Sequence, residues 1–374
     1  MMGCVRSCSK ATFSYAISGV EGHRRPSPLV ESISEIVHES TASPETSDFV
    51  PVLEMLPDVT PLPILKDRVA AGGIGVITTQ AQCGFRAWAE HRLGLRGLDL
   101  LEAGLSPGER GEQVHTVLQA FWTKVKTHAE LVRQGRSYPS EGVKERDVTL
   151  RACIDAVFPA ETNHAWDAAY LQVQRERLFR LLSGWLDREA ARPPFEVLYT
   201  ELEVKGAEVG PLRLDMRVDR VDRVDTGDGG ALLLIDYKTG RVNRNDWKGE
   251  RLDQPQLPVY AIYGAPAGKL EDVRGIAFGN VRVGDKGNDF EEMAEGSLVG
   301  NGAKKNFHFD EQAAEWRRDL ARLADAFAQG EAAVDPKDHR VTCKMCSQRL
   351  LCRLDLNQLE DDDLEDEEED APVW

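Results

Sequence analysis

The residues Ala231-Leu232-Leu233-Leu234-Ile235 run straight into Asp236-Tyr237-Lys238-Thr239-Gly240. Five consecutive apolar residues without alternation read as a central strand covered on both faces. Asp236 and Lys238 are two apart, so both side chains leave the same face at the strand's end. A carboxylate and an ammonium at the lip of a core strand are costly unless something there uses them. A divalent metal and a phosphodiester would use both. Taken alone, Asp-x-Lys also fits a surface salt bridge at a strand end.

The elements around this strand supply a partner for Asp236. Residues 212–224 alternate Leu212, Leu214, Met216 and Val218 against Arg213, Asp215, Arg217 and Asp219, the pattern of a half-buried strand. The alternation breaks at Asp219-Arg220-Val221-Asp222, which predicts a bulge or bend there. Asp225 to Gly230 reads as the turn of a hairpin, and the hairpin brings the 219–222 region beside Asp236. Two carboxylates on adjacent strands with a nearby lysine suit metal-assisted hydrolysis: the carboxylates hold the ion, and the lysine orients or deprotonates a water and steadies developing charge. Asp222 faces the side opposite Asp219, and Asp215 reads as structural. Further strands are expected over 196–204 and 273–283. Helices are expected over 80–93 (capped by Thr79), 109–132, 166–191, 256–263 and 311–328. The pattern predicts an α/β fold with a helical N-terminal part. No internal repeat is visible.

The chain has 374 residues, 41% hydrophobic and 29% charged, enough for one large or two ordinary domains. No stretch approaches the ~20 apolar residues of a membrane helix. The N-terminus lacks a signal-peptide core, so the expected compartment is the cytoplasm. The net charge is −17, but residues 355–370 hold eleven acidic side chains and no basic one, leaving −6 for the rest. That balance leaves room for local basic patches that bind nucleic acid. The expected organisation is a remnant of a preceding domain plus a linker over 1–73, Pro- and acid-rich from Ser40 to Leu65. A folded domain follows over 74–356, then an acidic disordered tail over 357–374. Gly264-Ala265-Pro266-Ala267-Gly268-Lys269-Leu270 lacks the spacing of a phosphate-binding loop, and no ATP site is expected.

Seven cysteines, an odd number, argue for metal ligation rather than a disulfide framework. Cys343, Cys346 and Cys352, with lone Cys83, supply four thiolates suited to zinc or to an iron–sulfur cluster.

Val218-Asp219-Arg220-Val221-Asp222, Ile235-Asp236-Tyr237-Lys238-Thr239-Gly240 and Gln256-Leu257-Pro258-Val259-Tyr260 together resemble the core of the PD-(D/E)XK nuclease superfamily, in its RecB/AddB-like branch. That branch carries a helical histidine within Gly-x-x-x-His-x-x-Leu, and Gly111-Glu112-Gln113-Val114-His115-Thr116-Val117-Leu118 has this form. The resemblance implies a restriction-endonuclease-like core, a central mixed sheet flanked by helices. It implies His115, Asp219 and Asp236, with the main-chain carbonyl of Tyr237, as ligands of Mg²⁺ (or Mn²⁺), and Lys238 as the catalytic lysine. Gln256 and Tyr260 become the Gln-x-x-x-Tyr pair that shapes the site and holds DNA. Of the nearby carboxylates it selects Asp219 over Asp222.

The spacing Cys-x2-Cys-x5-Cys, with one earlier Cys, is similar to that of AddB and of the CRISPR-associated iron–sulfur exonucleases. It implies a [4Fe–4S] cluster on Cys83, Cys343, Cys346 and Cys352, zinc being the alternative. Many relatives have Pro where this chain has Gly84. One cluster would clasp the two ends of the domain, and so long a loop closure is worth several kcal/mol in principle. Proteins of this branch carry a helicase region ahead of the nuclease, and here about 70 residues precede Ile74. The expectation is therefore the nuclease end of a longer DNA-repair protein. It is a Mg²⁺-dependent DNA exonuclease on single-stranded ends, acting in repair or recombination, with a helicase subunit as a partner and no membrane. The alternative is a degenerate nuclease fold that binds DNA or a helicase without cutting.

Overall fold

The computed structural model describes residues 69–353, apart from 98–103, 137–143, 159–166, 228, 285–286, 301–306 and 345, together with residues 18, 19, 22 and 23. The chain divides into two units, 1–58 and 59–374. In the first, β1 (Ser18–Gly19) pairs antiparallel with β2 (Gly22–His23). The expected linker and acidic tail lie outside the described residues.

The second unit is built on a five-stranded sheet in the order β3-β4-β5-β6-β7. Its strands are β3 (Phe195–Val209), β4 (Leu212–Val224), β5 (Ala231–Lys238), β6 (Val273–Asn280) and β7 (Asp289–Ala294). Only β5 and β6 run parallel, and the other pairs are antiparallel. The sheet is mixed and helices cover it, the α/β architecture the sequence predicts.

The run of apolar residues in β5 has a physical cause. Leu232 and Leu234 belong to one apolar cluster, and Leu233, Ile235 and Tyr237 to another on the opposite face. The first cluster packs α1 (Gly75–Gln82), α7 (the helical run 256–267) and α8 (Phe309–Gln329) on the sheet. The second packs α3 (Pro107–Lys124), α5 (Glu145–Val157) and α6 (Ala168–Ala190). Truncating a buried leucine such as Leu234 would cost about 2–5 kcal/mol.

Helix ends follow local chemistry. Ser106 and Glu109 form a reciprocal capping box at the start of α3, with Pro107 in its first turn. Two expected helices are each split in two. The 109–132 segment leaves helical geometry at Val125 and restarts as α4 (His128–Gln134), capped by Thr127. Between them Lys126 O accepts from Val197 N at 2.7 Å, and Thr127 bridges Glu196, so the chain adds briefly to the edge of β3. The 80–93 segment breaks at Cys83, whose backbone is extended, giving α1 and α2 (Gly84–His91). Thr79 is not a cap: it lies inside α1 and its hydroxyl donates to Gly75 O at 2.8 Å. The strand expected over 273–283 stops at Asn280, and β7 was not expected.

β4 alternates to Val218 and then buries Val218 to Asp222 without a break. The matching register shift lies on its partner, between Val197 and Tyr199 of β3. The bend is therefore where the sequence places it, with the extra residue on the neighbouring strand. Asp215 Oδ1 accepts from Gly206 N at 2.8 Å, inside a second register shift of β3.

Candidate active site

The β4–β5 ladder runs to the pair Arg220–Ile235. One step further, Asp219 and Asp236 lie across from one another, and the regular ladder gives way to side-chain bonding. Asp219 Oδ2 accepts the Tyr237 main-chain N–H at 2.7 Å. The Tyr237 carbonyl lies 2.9 Å from His115 Nε2, and His115 Nδ1 lies 3.2 Å from Asp219 Oδ2. α3 carries His115 over the end of β5, with its apolar stripe Val114, Val117, Leu118, Phe121 and Trp122 anchored in the core.

Asp236 and Lys238 share a face of β5. Lys238 Nζ lies 2.7 Å from Asp236 Oδ2 and donates to Gln256 Oε1 at 3.2 Å. Gln256 starts α7. Tyr260, one turn on, is buried, and its hydroxyl donates to Leu202 O at 3.4 Å, bracing β3.

One further carboxylate joins this group. Glu201 falls between the Thr200–Arg220 and Leu202–Val218 pairs, across from Asp219. One ligand atom from each of His115, Glu201 and Asp219 lies within 4.8 Å of the others. Glu201 has φ 51°, a left-handed backbone that a residue with a side chain rarely adopts. Its Oε2 lies 2.8 Å from Arg217 Nε. The sequence reading missed it, because Glu196, Glu201 and Glu203 look alike until the strand register is known.

The electrostatics follow from burial and crowding. Burial, then the Asp219 charge, push the Asp236 carboxyl up to about 6, against the pull of Lys238 and His115. Burial and then Asp219 also raise Glu201. Burial disfavours the charged His115 ring, yet Asp219, Asp236 and Glu201 outweigh it and its pKa is raised. Three carboxylates thus converge on one histidine and one lysine. Asp236 is buried, and its Oδ1 has no hydrogen-bond partner among the described residues. An orphaned buried carboxylate oxygen beside an acidic cluster fits a hard divalent cation.

Behind the site lies a buried ion cluster that the sequence reading also missed. Arg220 bonds Asp222 at 2.6 Å and Glu189 at 2.8 Å, and Arg192 bonds Glu189 at 2.7 Å and Asp222 at 3.0 Å. Arg220 Nη1 also donates to the Tyr237 hydroxyl at 3.1 Å. All four charged side chains are excluded from solvent. Asp222 is thereby committed to structure, while Asp219 faces the site.

The cysteines of the second constellation lie in one neighbourhood around the α1–α2 break, with no three of their sulfurs within 4.8 Å of one another. Cys83 and Cys343 are buried, and Cys346 and Cys352 are partly buried. Burial raises the Cys343 pKa, and the neighbouring Cys346, Cys83 and Cys352 raise it further. Cys346 Sγ accepts from Gln348 N at 3.4 Å. The junction is also strapped by ordinary bonds. Arg251 donates to Ala81 O, Gln82 O and Asp335 O, while Phe85 N donates to Ala333 O and Lys337 N to Gln82 O. A Cβ on Gly84 would sit 3.5 Å from Ala333 O and Glu331 O, an ordinary contact, and 3.3 Å from the flexible Gln80 Nε2, so the backbone leaves room for a side chain there.

The family model of the PD-(D/E)XK nuclease superfamily matches residues 75–353, and the chain belongs to that superfamily. Membership supports nuclease activity with DNA as the substrate class and a divalent metal in the site. No curated protein matches the chain. Among the described residues, no helix is long and apolar enough to cross a membrane.

Proposed function

We propose that this chain is a divalent-metal-dependent deoxyribonuclease that digests single-stranded ends during DNA repair or recombination. The observation that carries this reading is the meeting of His115, Asp219, the Tyr237 carbonyl, Asp236 and Lys238 at one end of the β4–β5 pair. His115, Asp219, Asp236 and the Tyr237 carbonyl would hold Mg²⁺ or Mn²⁺, and Glu201 is placed to join them. The ion would supply Lewis acidity at the phosphoryl group and acidify a water.

The protein groups have separable tasks. Asp219 accepts the Tyr237 N–H, which helps aim the Tyr237 carbonyl at the site. An ammonium has three donors; Asp236 and Gln256 occupy two on Lys238. The third is available to orient the attacking water or to meet negative charge growing on the phosphate. In the metal-free site the neighbouring carboxylates, outweighing burial, favour the charged form of the His115 ring, which bridges Asp219 and the Tyr237 carbonyl; to ligate an ion the ring would have to be neutral.

The four cysteines form the second half of the proposal, a [4Fe–4S] cluster with a structural role and zinc as the alternative. All four thiols are free of disulfides, and Cys346, Cys83 and Cys352 lie near enough to Cys343 to add to the burial that raises its pKa, which supports a metal centre there. A RecB/AddB-like place beside a helicase subunit in the cytoplasm follows from the sequence resemblance.

The deciding experiment is time-resolved digestion of 5′-labelled linear and of circular single-stranded DNA, with Mg²⁺ and with EDTA. Mg²⁺-dependent loss of the linear strand with the circle intact is the expected result. Persistence of both substrates at stoichiometric protein would leave the fold as a binding module that does not cut.

A further inference from the structure

The parallel pair β5–β6 ends with Lys238 opposite Asn280, and Val281 N donates to Lys238 O at 2.8 Å. The chain leaving β6 therefore departs from the same end of the sheet as Lys238. Across from it lies α6. The C-terminal part of α6 sits under the sheet, where Trp185 packs on Tyr237 and Glu189 meets Arg220. Its N-terminal half extends past the strand ends. Asn288 ties the two elements together by donating to Leu181 O at 3.3 Å.

Between them is a cleft of about 870 Å³, lined among others by Arg177, Arg180, Arg282, Val173 and Val283. Arg177 is exposed and Arg282 half-exposed, and among the described residues neither has an ion-pair or hydrogen-bond partner. Arg180 is shared with Glu176 at 3.0 Å. In a chain of net charge −17, two uncompensated arginines in one cleft form a local field of opposite sign. Val173 and Val283 expose apolar surface beside them, at 62% and 79%. Gln172, Glu176 and Asn288 also line it, but Glu176 is held by Arg151 and Arg180 and Asn288 by Leu181 O, so the main contact the cleft offers is from the two arginines to phosphate.

We infer that this cleft is the track for the nucleic-acid single strand as it leaves the active site, with Arg177 and Arg282 each taking a backbone phosphate. The inference rests on the nuclease reading above and adds the path of the substrate. A strand whose scissile phosphate lies at Lys238 would continue over Val281 into the cleft, where the arginines hold the flanking phosphates without regard to sequence.

The test measures binding, not cleavage. Fluorescein-labelled dT20 is titrated in EDTA over a range of salt concentrations with the full chain. The comparison is with the double variant Arg177→Gln/Arg282→Gln and with Arg317→Gln/Arg318→Gln, which removes the same charge from α8 on the other face of the sheet. Each lost single-strand phosphate contact lowers the slope of log K against log salt by about 0.7. The expected result is a slope smaller by about 1.4 for the cleft variant and an unchanged slope for the α8 variant. Equal slopes in the cleft variant and the wild type would overturn the inference, as would equal losses in both variants. A loss seen with a duplex of the same length but not with dT20 would overturn the single-strand assignment. The nuclease reading fails separately, by absence of Mg²⁺-dependent cleavage in the wild type.

Discussion

Asp219 accepts the Tyr237 N–H at 2.7 Å, and because a residue's N–H and C=O leave the same side of an extended strand, that bond also helps fix where the Tyr237 carbonyl points. A single carboxylate thus serves as candidate ligand and as the clamp that positions another. Tyr237 is held from the opposite side as well, where its hydroxyl accepts from Arg220. Rigid support of this kind is what a preorganised site requires.

Lys238→Met removes the ammonium while keeping the stem. Cleavage of labelled single-stranded DNA should fall by at least about 100-fold, while Mn²⁺ binding by calorimetry persists. Wild-type turnover by this variant would remove the lysine from the mechanism.

Asp236→Asn should stabilise the metal-free protein at pH 7–8. The folded-state pKa of Asp236 is raised to about 6, from an ordinary 3.8. A raised carboxyl contributes stability in its protonated form, complete below pH 4 and lost as pH rises through about 6. Above that, the buried charge costs the apo protein up to about 3 kcal/mol, at 1.36 kcal/mol per pKa unit. Thermal melts in EDTA should therefore show Asn melting above the wild type at pH 7.5 and converging with it near pH 4. Added Mg²⁺ should raise the wild-type melting temperature and leave the variant unmoved.

Glu201→Gln tests the ligand set beyond the sequence motifs. Its Mn²⁺ affinity should drop by about tenfold or more, whereas Asp215→Asn, a change on β4 facing the second register shift of β3, should leave it alone. Calorimetric titration of the two variants reads the difference directly.

Arg220→Met breaks the buried cluster and strands Glu189 and Asp222 without their shared partner. The cost should be about 3–5 kcal/mol in urea denaturation. The chain has little tolerance for such a loss.

Cys343→Ser should abolish iron and sulfide content, or zinc content, in anaerobically purified protein. Burial and the neighbouring cysteines raise the Cys343 pKa in the metal-free state, so loading should release protons and weaken as pH falls. Metal analysis after loading at pH 6 and pH 8 checks the direction.

The sequence carried the site further than it carried the architecture around it. Asp236 and Lys238 were legible because a two-residue spacing on a fully buried strand leaves one geometry. The broken alternation of β4 marked Asp219 and Asp222 alike, and the family resemblance chose between them. Glu201 was hidden, because its place depends on pairing with β4 and on a left-handed backbone that no local pattern announces. Glu189 and Arg192 are distant in sequence from Arg220 and Asp222, so their cluster exists only once α6 lies on the sheet. The split at Val125 was invisible for a similar reason: the helical spacing continues through it, and only the edge of β3 explains why the chain departs. β7 escaped because Glu291 and Glu292 blur the alternation of a six-residue strand.

The bonds from Arg251, Phe85 and Lys337 have a consequence for how this unit can open. They bring the first helices and the last stretch of the fold into direct touch, before any metal is considered. Segments far apart in sequence are thus held by main-chain bonds, so local opening of either one must release the other.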